Sequence, residues 1–444
     1  MAPTAARRCC GCSPTNCGWP WRCADAGRSR RSIVTCCIRS GWRGDRASGA
    51  EPRRVARGQG ARAEAGGRDR TEESVDTTDL KVDLRIGQME DQRFPSRRWG
   101  DACRRLFAQD GDASFQYAPE AGLPALREAL SAFLAARNGR PVPVEELLVI
   151  GGASHAIDLM LKLILPARAT IAVEDPSYFL ALRMFADWDV ELLPIPMQED
   201  GLDVERLEQL LRHGRVDMLY SIPVNHNPTG ISLSAQKREA LRALSARHGV
   251  WMLFDEVYQF VGEPMPECMY RHGDERIVSV GSFSKILAPG VRLGWMHASA
   301  AVVERLAGSG ELLSAGGVSP ITARVVADLL ARGEQQAILD ELNAIGTTRR
   351  LALSQALRET LPARVRFREP SGGYFAWLDC PASLDMGELR RRALAAGIAF
   401  HTGDVFSCRS AHGNGIRLAF TYYPEDVLLA AGRRLGDLIG HTLG

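Results

Sequence analysis

Short, wholly apolar runs that alternate with amphipathic stretches constrain this chain more than any other feature. Leu147-Leu148-Val149-Ile150, Thr170 to Val173, Asp217 to Ile222, Val250 to Phe254 and Ile277 to Gly281 read as strands without a solvated face. Residues at helical spacing separate or precede them, among them Leu126, Leu130, Phe133 and Leu134, then Ile157, Met160, Leu161 and Ile164. Further helices are expected over Asp203 to Leu211 and Ala235 to His248, with a strand near Val190 to Ile195. A strand buried on both faces loses the two-residue polar alternation of a half-exposed one. Repeated strand–helix alternation of this kind leads to a mostly parallel sheet covered by helices. Ligands of such sheets sit beyond the carboxyl ends of the strands.

Polar motifs stand at those ends. Gly151-Gly152-Ala153-Ser154 joins a strand to a helix, where small residues let backbone N–H groups approach an anion at the positive helix end. The bland alternative is an ordinary tight connection with Ser154 near the cap. Glu174-Asp175-Pro176-Ser177-Tyr178 ends the next strand, and Tyr178 is either a stacking ring or core. Asn225-His226-Asn227-Pro228-Thr229-Gly230 follows a third strand, with Asn227 either a ligand group or a turn residue. Asp255-Glu256-Val257-Tyr258 follows a fourth, where Asp255 is a carboxylate for a ring nitrogen or a helix cap.

The fifth strand leads into Gly281-Ser282-Phe283-Ser284-Lys285 and, seven residues on, Arg292. The chain holds 55 basic residues, of which only Lys81, Lys162, Lys237 and Lys285 are lysines. Such a preference for arginine leaves lysine chiefly where guanidinium cannot serve, as in chemistry that needs a neutral amine. Lys285 with Ser282, Ser284 and Arg292 then reads as a Schiff-base lysine beside a phosphate clamp; a polar surface loop is the competing reading. Each motif finds a job if the ligand is a pyridine aldehyde bearing a phosphate: Asp255 at the ring nitrogen, Asn227 and Tyr258 at a ring oxygen, Tyr178 on the ring face.

Charge is divided unevenly. Residues 1–75 carry 15 arginines and seven acidic residues, against 40 basic and 46 acidic residues in the remainder. An acidic-leaning body has no electrostatic footprint for nucleic acid. Seven of 11 cysteines lie in the first 40 residues, without a C-x-x-C that has a matching second pair and without a nearby histidine, so no metal site is expected. The other four, Cys103, Cys268, Cys380 and Cys408, are scattered and form no disulfide framework, which suits a reducing cytoplasm. No apolar run reaches membrane-spanning length. Residues 1–75 are expected to be a disordered or mis-assigned extension.

In their order, the Ser-Phe-Ser-Lys, Asn-Pro-Thr-Gly and Asp-x-x-Tyr blocks and a late arginine in Gly415-Ile416-Arg417-Leu418 resemble the fold-type I pyridoxal-phosphate enzymes of aminotransferase class I and II. The resemblance runs from about Val82 to the C-terminus and is nearest to 2-aminoadipate (LysN-like) aminotransferases and the domain fused in MocR-type regulators. It implies an α/β fold with a large domain built on a mostly parallel seven-stranded sheet and a smaller C-terminal α+β domain. It implies that Lys285 forms the Schiff base with pyridoxal 5'-phosphate and shuttles the proton, that Asp255 pairs with the ring nitrogen, and that Asn227 and Tyr258 hold the phenolic oxygen. Tyr178 would stack on the ring; Ala153, Ser154, Ser282, Ser284 and Arg292 would bind the phosphate. Arg417 would grip the substrate α-carboxylate, where its alternative is a solvated strand arginine, and Gly87 would line the substrate. Tyr117 would reach the phosphate in the neighbouring subunit of a homodimer.

The expected division is 76–115 as an N-terminal arm, 116–310 as the cofactor-binding domain and 311–444 as the small domain. The expected activity transfers an amino group between an L-amino acid and a 2-oxo acid in the cytoplasm, with no nucleic-acid or membrane partner. A lyase or decarboxylase on the same scaffold is the alternative. A cofactor-sensing regulator is a distant third, since residues 1–75 show no winged helix–turn–helix pattern. Glu256-Val257 and His155 depart from the nearest relatives, Glu256 as a change in the pocket wall and His155 as a helix-surface residue or a cofactor neighbour. Phe375 and Phe406 are either substrate contacts or, as the default, core residues.

Overall fold

The computed structural model describes residues 81–263, 265–314 and 317–444. The expectations for residues 1–75 lie outside these. The described chain opens with strand β1 (Val82–Asp83), and the large sheet then takes β2 (Leu147–Ile150), β3 (Thr170–Asp175), β4 (Glu191–Gln198), β5 (Gly201–Leu202), β6 (Met218–Ser221), β7 (Trp251–Asp255), β8 (Ile277–Ser282) and β9 (Gly294–His297). Their order across the sheet is β2-β9-β8-β7-β6-β3-β4-β5. From β8 to β4 all neighbours pair in parallel. β9 runs antiparallel to both of its neighbours. The sheet has eight strands rather than seven because β5, two residues long, folds back on the end of β4.

β9 had no apolar signature of its own in Gly294-Trp295-Met296-His297. Packing explains it: a Cβ on Gly281 of β8 would lie 2.0 Å from the Trp295 ring, so the indole crosses the one place where β8 has no side chain. The segment from Phe283 to Leu293, with Lys285 in it, is therefore the connection between β8 and its antiparallel neighbour. Local chemistry starts and stops the covering helices. Ser234 caps the helix Ala235–His248 by accepting from the Lys237 N–H at 3.3 Å, and Gly249 ends it with φ +62°.

The second sheet contains β10 (Arg366–Arg368), β11 (Phe375–Asp379), β13 (His401–Thr402) and β14 (Gly415–Ala419), all antiparallel in the order β10-β11-β14-β13. β12 (Ile398–Ala399) instead pairs in parallel with β1. β1 is only two residues long because Asp83 Oδ1 accepts from the Arg85 N–H at 3.0 Å and turns the chain.

Ile338, Leu339 and Leu342 on the 27-residue helix Glu334–Thr360 pack into the core of the large sheet. Further along the same helix, Leu353 and Leu357 join a separate core with Leu84, Leu378, Ile416 and Leu435. One rigid element thus ties the two sheets together, and the catalytic groups below come from both. Among the described residues no helix is long and apolar enough to cross a membrane.

Candidate active site

Between the carboxyl ends of the central strands and the second sheet lies a cavity of about 320 Å³. Lining it are Gly87, Ala153, Ser154, Tyr178, Asn227, Asp255, Tyr258, Ser282, Ser284, Lys285, Arg292 and Arg417. These are all the candidate residues but one. Tyr117 is 82% exposed and borders a different groove, with Leu312 and Val318.

The floor is formed by strand ends. Lys285 donates from Nζ to the Gly87 carbonyl at 2.8 Å and lies 5.0 Å and 5.7 Å from the ring centres of Tyr374 and Tyr258. Burial, then the positive charge of Arg417, pushes its pKa down to about 8 against the pull of Asp255. Lowering the pKa leaves a usable fraction of neutral amine at physiological pH, which is what a carbonyl-capturing lysine requires. Asp255 ends β7, is 4% exposed and accepts from Tyr220 Oη at 2.9 Å. Its Oδ1 is buried without a hydrogen-bond partner. Burial drives this carboxyl up to about 6, although the Tyr220 hydroxyl and Lys285 favour the ionised form. Tyr178 is pushed up to about 12 by burial and then Asp255, and burial likewise raises Tyr258 well above the usual phenol range, so both phenols stay protonated.

At the other end the walls are small and polar. Gly152 holds φ +101° just before the helix Ala153–Leu163, a conformation that a side chain would strain. Ser282 Oγ donates to Ser284 Oγ at 3.0 Å and accepts from the Ser284 N–H at 3.1 Å. Arg292, also in the left-handed region at φ +48°, reaches back to the Gly151 carbonyl at 3.0 Å. His155 accepts from the Gly151 N–H at 3.1 Å and has Nε2 3.4 Å from Glu311, so it braces the anion turn from behind.

The second sheet supplies Arg417, paired with Trp377 on one side and His401 on the other. It is 3% exposed, stacks on Phe375 and Phe406 at 4.3 Å and 4.9 Å, and donates to Asn227 Oδ1 at 3.1 Å and the Arg85 carbonyl at 2.7 Å. Among the described residues no carboxylate lies within ion-pair distance of it, and its Nε has no partner. A buried guanidinium without a counter-ion is an anion receptor held in position. Gly87 has to be glycine, since a Cβ there would meet Phe375 Cζ at 2.7 Å.

Several site residues had no motif to announce them. Tyr220, Arg85, Phe179, Ile222 and His401 reach the cavity or Asp255 from within strands and loops. Phe375, read as core or substrate contact, is buried and also forms part of the cavity wall, whereas Phe406 touches the site through Arg417. Of the two departures beside Asp255, Val257 lines the cavity and Glu256 does not; Glu256 faces the other way, accepting from the Met269 N–H at 2.8 Å. Behind Asn227, fully buried His226 lies 3.0 Å from Glu174, which itself accepts from Ser221 Oγ at 2.6 Å and the Ile222 N–H at 2.9 Å.

This donor set fits pyridoxal phosphate: a buried amine, a buried carboxylate oxygen awaiting a proton donor, and a glycine-led helix terminus with hydroxyls and an arginine for a phosphate. An α/β fold with these groups gathered at the strand ends defines a cofactor-dependent group-transfer enzyme. The chain belongs to the aminotransferase class I and II family, whose model matches residues 79–433. Aromatic-amino-acid aminotransferase 1 of Thermococcus litoralis is 28% identical over 374 residues, which cover 82% of this chain and 89% of the relative. The uncharacterised HTH-type transcriptional regulator YdfD of Bacillus subtilis is 30% identical over 371 residues, 83% of this chain and 75% of the relative. The crystal structure of LysN, the alpha-aminoadipate aminotransferase of Thermus thermophilus, complexed with N-(5'-phosphopyridoxyl)-L-leucine, matches with a TM-score of 0.73 at 28% identity. That match covers 82% of this chain and 93% of LysN. The protein is a pyridoxal-phosphate-dependent aminotransferase.

Proposed function

We propose that Lys285 is the residue that holds the cofactor and moves the α-proton, and that amino acid and 2-oxo acid are gripped by Arg417. The observation that carries this is the pairing, in one cavity, of an amine held near pKa 8 with a buried carboxylate whose Oδ1 has no partner. Pyridoxal phosphate, when bound, supplies the carbon that exchanges the amino group and a ring that draws electron density from the substrate α-carbon. The protein's own groups do the rest. Asp255 Oδ1 would accept a hydrogen bond from a protonated ring nitrogen, Tyr258 and the Asn227 amide would donate to the ring oxygen, and Tyr178 would cover the ring. Ser154, Ser282, Ser284, Arg292 and the N–H groups at Ala153 hold the phosphate, so that the ring cannot drift while the proton moves. Asn227 also orients Arg417, which fixes the substrate carboxylate and aims the α-hydrogen at Lys285 Nζ.

The assembly in this reading is a homodimer. Phe115, Tyr117 and Leu313 are 66%, 82% and 61% exposed, a concentration of apolar surface that suits a subunit contact, with Tyr117 reaching the partner's phosphate site. The setting is cytoplasmic amino-acid metabolism. Relatives named for aromatic amino acids and for alpha-aminoadipate bracket the side-chain class.

The test is spectroscopic. The purified protein with pyridoxal phosphate should show the visible band of the lysine-bound cofactor and lose it on addition of an amino-acid donor. Lys285→Ala should lack the band and the turnover; an unchanged spectrum in that variant would remove Lys285 from the role.

A further inference from the structure

Two relatives with unlike side-chain preferences leave open what the substrate end of the cavity accepts, and the charges there answer it. Apart from Arg417, that end is walled by Arg85, Phe179, Leu180, Phe375 and His401. Arg85 is not available as a bare cation. Its guanidinium forms a two-point fork with Asp83, Nε to Oδ1 at 2.8 Å and Nη2 to Oδ2 at 2.9 Å. The same Oδ1 accepts from the Arg85 N–H at 3.0 Å, so a single carboxylate fixes both the backbone turn and the head group. Although burial opposes its charge, the hydrogen bonds and charge of Arg85 keep Asp83 ionised.

His401 packs against Phe179 and Phe406, with ring centres 5.6 Å and 5.8 Å away. Burial, then the neighbouring Arg417 and Arg85, drives its pKa down to about 3, so the imidazole is neutral. The wall facing a substrate side chain therefore presents a guanidinium already forked by Asp83, which is not itself a lining residue, a neutral imidazole and aromatic or aliphatic surface. Any acidic side chain entering it meets the Asp83 carboxylate as a competitor for Arg85.

We propose that the Asp83–Arg85 pair is the specificity determinant of this site, closing it to acidic side chains and selecting amino acids with uncharged, apolar or aromatic side chains. This rests on Arg417 binding the α-carboxylate, as set out above. The pair acts by negative selection: a site that satisfies its own arginine gives an incoming carboxylate no unpaired partner and one like charge to avoid. The relationship is local to this chain's two residues, since the fork is built within a three-residue turn.

Asp83→Asn is the discriminating substitution. Asparagine keeps the Oδ1 acceptor for the Arg85 N–H but loses the charge, so the turn survives while the Asp83 fork loses its charge and its Oδ2 acceptor. The experiment measures kcat/KM for phenylalanine and for glutamate with one fixed 2-oxo acid in the holoenzyme. Wild type should favour phenylalanine at least about threefold, and Asp83→Asn should shift the ratio toward glutamate by about 3- to 10-fold, the range expected of a half-buried charge contact. Arg85→Met, which keeps the backbone carbonyl used by Arg417, should move the ratio the opposite way, by leaving Asp83 unopposed. Wild-type preference for glutamate, or an unchanged ratio in both variants, overturns the proposal. Loss of the cofactor's visible band, or no transamination of either amino acid by wild type, would instead sink the site assignment itself.

Discussion

Asp255 puts an ionisable group where the cofactor-free protein has to bear its full burial. The carboxyl is 4% exposed and is raised from an ordinary 3.8 to about 6. A folded pKa above the unfolded one means the native state binds the proton more tightly. The stabilisation is full below about pH 4 and is lost as pH rises through about 6. A shift of about two units at roughly 1.4 kcal/mol each makes this site cost about 3 kcal/mol at pH 7.5 in the absence of a cationic partner. Asp255→Asn keeps an oxygen to accept from Tyr220 and removes the charge. Urea unfolding of cofactor-free protein should therefore find the variant more stable than wild type by about 3 kcal/mol at pH 7.5, with the gap closing toward pH 4. Saturating pyridoxal phosphate should reverse the order, because only the carboxylate can hold a protonated ring nitrogen. A cofactor-free variant no more stable than wild type at pH 7.5, or a gap that ignores pH, would refute both the burial cost and the role built on it.

The strand-end groups were legible because each motif follows an apolar run, and a doubly buried strand fixes where its carboxyl end must point. Lys285 stood out by the scarcity of lysine, and Asp255 by its place after Val250 to Phe254. What could not be read came from contacts between distant segments. Tyr220 lies in the middle of an apolar strand, where an aromatic carries no sign of its hydroxyl's partner 35 residues away. Arg85 and Asp83 belong to no motif, and only the two-residue length of β1 brings them together as a fork. β9 was silent because its packing depends on a glycine, Gly281, in the neighbouring strand. The alternating surroundings of Arg417 suit a solvated strand equally well; burial by Phe375 and Phe406 decides between them, and those residues arrive from other elements.

Two further outcomes follow from the buried cations. With the Lys285 amine held near 8, the rate at which cofactor-free protein captures pyridoxal phosphate should rise about tenfold per pH unit from pH 6 and level off above about 8. Stopped-flow absorbance measures this, and a flat profile from pH 6 to 9 would contradict a lowered amine. Arg417 presents the complementary case. Its guanidinium is pinned by Asn227 and the Arg85 carbonyl and lowered to about 10 by burial, with no carboxylate among the described residues in contact to compensate it. The substrate carboxylate is therefore the missing half of a buried, charge-assisted pair, and losing one partner of such a pair costs roughly 2–5 kcal/mol. Arg417→Leu should raise KM for both amino acid and 2-oxo acid by about 30- to 5,000-fold, with the visible cofactor band intact. Arg417→Lys should recover only part of that loss, since a point charge cannot bond both carboxylate oxygens in the fixed plane that Asn227 sets. Thermal stability separates this from general damage: a simple 2-oxo acid should raise the melting temperature of the wild-type holoenzyme and leave that of Arg417→Leu unmoved. Equal stabilisation of both proteins would mean that the carboxylate binds elsewhere.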